Sequence, residues 1–424
     1  MIVGKGLTDS FLSDEQVREI MAKGLDQVPL KNKRVLAIIP DHTRTAPMNL
    51  LFHTLYELIG HRVKALDFLI ALGTHPEEPL QATLSRLGLS ESEWKNHYKN
   101  VRFFNHQWKN PDALTTIGVL EPEEIETLSD GLMKQRVPVT INKLIFEYDQ
   151  IFILGPTFPH EVVGFSGGNK YFFPGISGEE IIDFFHWLGA VITNMKIIGR
   201  KWTPTRAVVD RAAEFIPIPT LLFAFVVHPE KLVGLYIGNP KEAWEKAADL
   251  SARLHIEYKE RPYRLILGVA PKMYDDIWTA GKVMYKSEPV VADGGEVIIF
   301  APHISEVSYV HGKLLDQVGY HVRDYFLKQE EKFRWVPGAI KAHSTHVKGI
   351  GTFENGVEKP RVQVTLATAI PRERCERINL GYRDPATIRV EDFLGREDEG
   401  ILVIPHAGEK LFRLTSDKAG TQKS

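Results

Sequence analysis

One cysteine, Cys375, stands in 424 residues. A single thiol excludes an internal disulfide and is too few for a thiolate metal cage. It fits a reducing compartment. A large excess of one charge is also missing. Lys and Arg number 52 and Asp and Glu 54, which leaves a net charge of −2. No strong overall field draws such a chain to nucleic acid or to an anionic membrane, so neither is expected as a partner. No stretch approaches the roughly 18 uninterrupted apolar residues of a membrane span. Met1 to Gly24 holds no apolar run preceded by Lys or Arg and does not read as a signal peptide. Internal repeats and low-complexity segments are missing, apart from a short polar tail after Leu414. The expectation is a soluble cytoplasmic protein.

What remains is ordinary globular composition, 43% hydrophobic and 25% charged. At about 150 residues per domain, the length suggests two or three domains. Arg34 to Ile39 is a compact apolar run ended by Pro40 and reads as a buried strand. Asn49 to Leu58 has helical character. Ala65 to Leu72 and Gln150 to Leu154 are further strands, stopped by Gly73 and by Gly155-Pro156. Glu179 to Met195 reads as a helix, Thr220 to Val227 as a strand, and the polar stretch Lys241 to Glu260 as a connecting helix. The alternation then restarts, with strands at Arg264 to Val269, Glu296 to Phe300 and Ile401 to Ile404, and a helix at Asp276 to Lys286. The fold class is therefore α/β: two α/β domains with mostly parallel sheets, joined by helical linkers. The boundary falls near residue 260, giving domains 1–260 and 261–424.

Open parallel sheets bind ligands beyond the carboxyl ends of their strands. Three predicted strand ends carry chemistry-bearing residues. They are Asp41-His42-Thr43-Arg44-Thr45-Ala46-Pro47, Gly73-Thr74-His75-Pro76, and Gly155-Pro156 followed by His160. A lone His after a strand is usually a solvated loop residue, but three such ends in one sheet point to a site. The densest segment is Gly164 to Gly178, with five glycines in 15 residues and Lys170 among aromatics. It contains Ser166-Gly167-Gly168-Asn169-Lys170. Bare glycine backbone lets N–H groups approach an anion, and the following helix adds its dipole. A phosphate-binding P-loop is excluded, because Tyr171 follows the lysine where Ser or Thr is needed. Two readings stay open, a turn-rich surface loop and an enclosed anion site.

His186, on the aromatic helix after this segment, is either a hydrogen-bonded core histidine or a metal ligand. Lys282 is either a solvent-facing helical lysine or the grip for a substrate carboxylate. His343 and His346 read as structural or solvated, and Asp210-Arg211 and Glu330-Glu331-Lys332 as exposed charge.

With these blocks in hand, the chain resembles the nickel-pincer lactate racemase family over nearly its full length. The specific part is Ser166-Gly167-Gly168-Asn169-Lys170 with His186 16 residues after the lysine. Gly73-Thr74-His75, Asp41 to Pro47, His160 and Lys282 support it. The resemblance implies a pyridinium mononucleotide whose two thiocarboxyl groups clamp nickel in a pincer. Lys170 looks like the lysine that tethers this cofactor as a thioamide, and His186 like the protein's ligand to nickel. Asp41, His42, Thr43 and Arg44 look like its nucleotide-binding turn, with Ser166, Gly167 and Gly168 beside the tether. His75 and His160 look like the catalytic acid/base pair, and Lys282, Thr279 and Arg44 like substrate contacts. Residues 1–260 would then hold the cofactor, 261–424 would contribute Lys282, and the site would lie in the interdomain cleft. Enzymes that build the cofactor would be needed upstream.

The implied activity is an isomerase, a racemase or epimerase of 2-hydroxy acids. Inverting such a carbon by proton removal is difficult, because the hydroxyl and carboxylate barely stabilise a carbanion. Hydride removal coupled to loss of the hydroxyl proton gives a neutral 2-keto acid instead. That route needs a hydride acceptor and one base per enantiomer, and histidine suits the second task near neutral pH. Lactate-specific members carry glutamine three residues before the substrate lysine, where this chain has Thr279. The substrate expected is therefore a 2-hydroxy acid other than, or larger than, lactate. The alternatives are a zinc hydrolase using His75, His160 and His186, and a non-catalytic carrier of the nickel nucleotide.

Overall fold

Arg34–Pro40 alternates side chains into two apolar layers, and every residue from Val35 onward is buried. A strand covered on both faces belongs inside a parallel sheet, and that is its place in the computed structural model, which describes residues 1–229 and 231–420. The seven-stranded sheet runs Val3–Gly6, Leu232–Gly238, Thr220–Val227, Gln150–Pro156, Arg34–Pro40, Ala65–Ala71, Phe103–Asn105. The last five are mutually parallel and the first two pair antiparallel at one edge. The helix Met48–Ile59 lays Leu51, Phe52, Leu55 and Ile59 against Val35, Ala37, Ile39 and Phe68. Each such buried side chain contributes roughly 1.5–3 kcal/mol.

A five-stranded, wholly parallel sheet forms the second framework, in the order Gly381–Tyr382, Gln363–Thr368, Val291–Ala301, Tyr263–Val269, Ile401–Ile404. Its core gathers Ile266, Val297, Ile299, Leu366 and Tyr320 with helical Ile340 and Val347. The fold class is thus α/β, as the alternation of apolar runs implies.

The chain divides into two compact units that are not cut once near residue 260. Unit 1 is 1–158, 166–182 and 207–254, and unit 2 is 159–165, 183–206 and 255–424. Two short stretches of the N-terminal half therefore belong with the C-terminal unit. Three helix spans also differ from the sequence pattern. The helix from Glu179 ends at Ile192, and Asn194–Ile197 forms a separate turn of helix. Between them Thr193 has φ 90°, a left-handed backbone that costs a β-branched residue about 1–3 kcal/mol. The stretch expected as helix to Glu260 stops at His255, and Ile256–Lys259 pairs in parallel with Leu411–Leu414. Here strand pairing with a distant segment overrides local helical propensity. The helix expected at Asp276 to Lys286 is Ile277–Ala280 followed by Lys282–Ser287. Asp276 caps the first through Thr279 N–H at 3.0 Å. Gly281 at the junction lets the chain pack closely, since a Cβ there would lie 2.7 Å from Val347.

Among the described residues, no helix is long and apolar enough to cross a membrane.

Candidate active site

The residues singled out by sequence are shared between the units. Unit 1 holds Asp41, His42, Thr43, Arg44, His75, Ser166, Gly167, Gly168 and Lys170, and unit 2 holds His160, His186, Thr279 and Lys282.

In unit 1, Arg34–Pro40 and Ala65–Ala71 are parallel neighbours with Pro40 opposite Ala71. Their outgoing loops therefore leave side by side. Asp41, 3% exposed, accepts from the Thr43 N–H at 3.0 Å and the Thr43 hydroxyl at 2.6 Å through Oδ1. Its Oδ2 meets His75 Nδ1 at 2.6 Å. Burial pushes the Asp41 carboxyl up, but His75, Arg44 and the Thr43 hydroxyl outweigh it and hold the group far below the usual carboxylate range. An ionised Asp41 can only accept, so His75 Nδ1 carries the proton and donates. The neutral ring then presents a lone pair at Nε2, the form of a general base. Asp41, expected as a cofactor contact, has one carboxylate oxygen on Thr43 and the other on His75.

The Gly73 turn ties this pair to the glycine-rich segment, with Gly73 N–H donating to the Gly175 carbonyl at 3.0 Å. Ser166 donates its hydroxyl to the Pro156 carbonyl and accepts from Phe158 N–H at 2.9 Å. Trp244 Nε1 donates to the Ser166 carbonyl at 2.8 Å. Ser166 therefore braces the strand end. Gly167 and Gly168 have φ of 81° and 61°, and a Cβ on Gly168 would sit 3.0 Å from the Trp244 ring. Only glycine suits both positions. They leave bare backbone leading into the 3-10 turn Gly168–Tyr171, which carries the partly buried Lys170. Asn169 donates to Asp210 at 3.0 Å, so Asp210 anchors the turn and is not mere exposed charge. Arg211 pairs with Glu124 at 2.5 Å.

Tyr171 closes the turn by laying its ring on Gly155, where a Cβ would lie 2.0 Å from the ring. Burial pushes the Tyr171 hydroxyl up, so the ring is neutral at physiological pH. Gly155→Ala should therefore cost about 1–3 kcal/mol by overpacking a central strand. Denaturant titration reads that loss, and unchanged stability would show that the ring is free to move aside.

In unit 2, Pro159–His160 pairs antiparallel with Gly164–Phe165. His160 is 7% exposed, and its Nδ1 accepts from Val162 N–H at 3.1 Å. That bond fixes the neutral ring with its proton on Nε2. Bonded to Val162, His160 presents Nε2–H, the opposite tautomer to His75, and the Glu161 carboxylate, 3.3 Å from the same Nδ1, offers an acceptor for a proton there. A Cβ on Gly164 would lie 1.8 Å from the Arg200 carbonyl, so the tight hairpin requires glycine there.

His186 stacks on Phe185 at 4.4 Å between ring centroids. One turn earlier, Asp183 accepts from Ala339 N–H at 2.9 Å, clamping this helix to the start of Gly338–Lys348. Lys282 holds its Nζ 4.5 Å from the centre of the Tyr274 ring. Thr279 is 5% exposed, and the neighbouring Trp278 lies between His311 and His343, both 4.3 Å away by ring centroids. Tyr320 Oη is 3.2 Å from His343 Nε2. Burial, with the His311, His346 and His186 rings nearby, holds His343 well below the usual imidazole value and keeps it neutral. His343 and His346 are thus buried on one helix, the structural of the two readings. The aromatic and imidazole array at Trp278 was not seen in the sequence, because His311 lies far from the other two residues along the chain. The one available signal was the His343/His346 spacing.

A tethered nucleotide can be tested against these residues. Gly167 and Gly168 are buried where a side chain would clash with Thr157 or Trp244, and Lys170 follows at once on a short turn. Among the described residues no three His, Cys, Asp or Glu side chains converge to hold a metal ion.

Residues 13–197 match the lactate racemase N-terminal domain family. The lactate racemase of Thermoanaerobacterium thermosaccharolyticum is 25% identical over 288 residues, 66% of this chain. This chain spans 63% of that relative's length. The crystal structure of a protein from Thermotoga maritima is 35% identical, with a TM-score of 0.89 over 96% of this chain and 100% of that one. The lactate racemase apoprotein structure from Thermoanaerobacterium thermosaccharolyticum has a TM-score of 0.69 at 20% identity, over 96% and 95% of the two chains, a likeness of fold.

Proposed function

We propose that this chain, whose residues 13–197 match the lactate racemase N-terminal domain family, is a racemase or epimerase that inverts C2 of a 2-hydroxy acid by way of the 2-keto acid. The observation that carries this reading is the pair of histidines fixed in opposite tautomers, His75 with a lone pair at Nε2 and His160 with a proton there. An inverting enzyme needs one group to take the hydroxyl proton and another to return it. The two exchange roles when the reaction runs backward.

In this proposal Lys170 tethers a nickel-pincer pyridinium mononucleotide as a thioamide, and His186 supplies a ligand to its nickel. When bound, this group supplies the hydride acceptor. His42, Thr43, Arg44 and the bare backbone of Gly167 and Gly168 would hold its nucleotide portion. His75 Nε2 would take the hydroxyl proton of one enantiomer, and His160, as imidazolium, would return a proton to the carbonyl oxygen as hydride returns to the opposite face of C2, forming the other. Lys282 and Arg44 hold the substrate carboxylate, Lys as a point charge and Arg as a bidentate fork. Tyr274 fixes where the Lys282 ammonium starts. Thr279, in place of glutamine, favours a substrate other than, or larger than, lactate. The cofactor would come from its own biosynthetic enzymes, and a cytoplasmic location belongs to the same reading. A mere carrier would have no use for an Asp-oriented base.

The test is protein made in a host that supplies the cofactor. A nucleotide-sized mass increase on Lys170, one nickel per chain and interconversion of 2-hydroxy-acid isomers on chiral chromatography are expected. Unmodified Lys170 with zinc bound would overturn the proposal.

A further inference from the structure

Unit 2 contains a small pocket that the proposed chemistry does not use. It has a volume of about 40 Å³ and is lined by Thr193, Asn194, Glu288, Arg323, Thr345, His346 and the backbone of 349–351. Its floor carries an unusual density of unsatisfied polar atoms. Asn194 spends its amide N–H groups on the Tyr285 carbonyl at 2.8 Å and Glu288 Oε2 at 3.1 Å. Its Oδ1, the Thr345 hydroxyl and both ring nitrogens of His346 are buried with no protein partner among the described residues. Asn194, Thr345 and His346 are 3%, 5% and 3% exposed. Buried polar atoms of native proteins are nearly always hydrogen-bonded, to protein or to ordered water. Four orphans around one pocket therefore mark something that belongs there.

The chemistry of the pocket selects the occupant. Burial holds His346 down to about 3, so its ring is neutral, with one N–H to donate and one lone pair to accept. Burial also raises the Glu288 carboxyl, against the Ile350 N–H, Asn194 and Arg361. Arg323 at the wall is turned to Asp324 and to the Val191 carbonyl. An anion would face the Asn194 oxygen and the Glu288 carboxylate. A metal would find one carboxylate, one imidazole and an arginine, and no metal-holding group is present among the described residues. Water alone both donates and accepts at every orphan. One water needs about 10–15 Å³ of such space, so the pocket takes two or three.

We infer that this pocket is a built hydration site. Two or three ordered waters join the short helix Asn194–Ile197, the helix Gly338–Lys348 and the turn at 349–351 through Asn194 Oδ1, Thr345 Oγ1 and the His346 ring. Thr193, in the pocket wall, makes the last helical bond, from its N–H to the Gly189 carbonyl at 3.0 Å, and its φ of 90° ends the helix there. Backbone strain of this kind persists where the surroundings over-determine it.

A sign test separates a wet pocket from a dry one. Thr345→Val keeps the side-chain shape and removes only the hydroxyl. In a hydrated pocket that hydroxyl is bonded, and its loss lowers the melting temperature by about 1–3 °C. In a dry pocket it is an unsatisfied burden, and its removal raises the melting temperature. An unchanged or raised value overturns the inference. A high-resolution crystal structure of the full chain gives the second reading. Spherical density about 2.6–3.2 Å from Asn194 Oδ1, Thr345 Oγ1 and a His346 nitrogen is expected. An empty pocket, an anomalous metal peak there, or His346 turned onto a protein partner would overturn it.

Discussion

Lys170→Ala protein, made in a host that supplies the nickel-pincer cofactor, should show the unmodified chain mass and no measurable inversion of any 2-hydroxy acid. The argument is geometric. Lys170 leaves the 3-10 turn Gly168–Tyr171, pinned by Asn169 to Asp210 and by Tyr171 on Gly155. A covalent link from so fixed a point replaces a binding equilibrium with permanent proximity, an advantage worth several powers of ten in rate. Lys170→Arg divides charge from tether. It keeps the cation but cannot form the thioamide, so it should fail like alanine in both mass and activity. Because Lys170 is only partly buried, both variants should melt within about 1–2 °C of the parent, as surface changes usually do. A Lys170→Ala protein that still carried the mass increase would remove the tether from the proposal. One that lost the mass increase but kept inverting substrate would remove the cofactor.

The blocks that bear on this prediction were legible in sequence because their signals are local. Arg34 to Ile39 is apolar throughout and must be covered on both faces, which already argues for a parallel sheet with loops at its carboxyl edge. The glycines before Lys170 announce a bare turn, and the structure supplies the reason in the Trp244 ring. What the sequence could not show is adjacency. Asp41 and His75 are separated by 34 positions, and nothing local says that their strands are neighbours in register. The same limit hid the composition of the units. Residues 159–165 and 183–206 sit in an N-terminal stretch by order, yet they cluster with the C-terminal unit. Ile256–Lys259 continues a helical pattern and still becomes a strand, because Leu411–Leu414 offers a ladder from the far end of the chain. Long-range pairing decided each of these points, and no window of sequence contains it.

Asp41→Asn should reduce inversion by about 10³–10⁴-fold while leaving Lys170 modified, the scale seen when an oriented catalytic imidazole is given the wrong tautomer. The direction follows from Thr43. Its N–H and hydroxyl both donate to Asp41 Oδ1, so an asparagine there must keep its carbonyl oxygen toward Thr43. The amide NH₂ then faces His75 Nδ1, which has to accept, and the ring proton moves to Nε2. His75 would lose the lone pair that makes it a base. Asp41 is held far below the usual carboxylate range. Lowering the pH through the working range therefore does not mimic the substitution. The acid side carries a second sign. A depressed carboxyl contributes stability above its unfolded value near 4 and loses it as pH falls through the folded value, so the variant should show less acid sensitivity. Steady-state kinetics alone cannot say which histidine serves which enantiomer. The ratio of kcat/KM for the two directions equals the equilibrium constant, so both must fall by the same factor. Single-turnover mixing resolves it. The substrate hand deprotonated by His160, which needs its Nδ1 proton on Glu161 to free Nε2, should still yield 2-keto acid at close to the parent rate, and the hand deprotonated by His75 should not. Equal slowing of both hands would mean that one histidine serves both faces, and the division of labour between His75 and His160 would have to be abandoned.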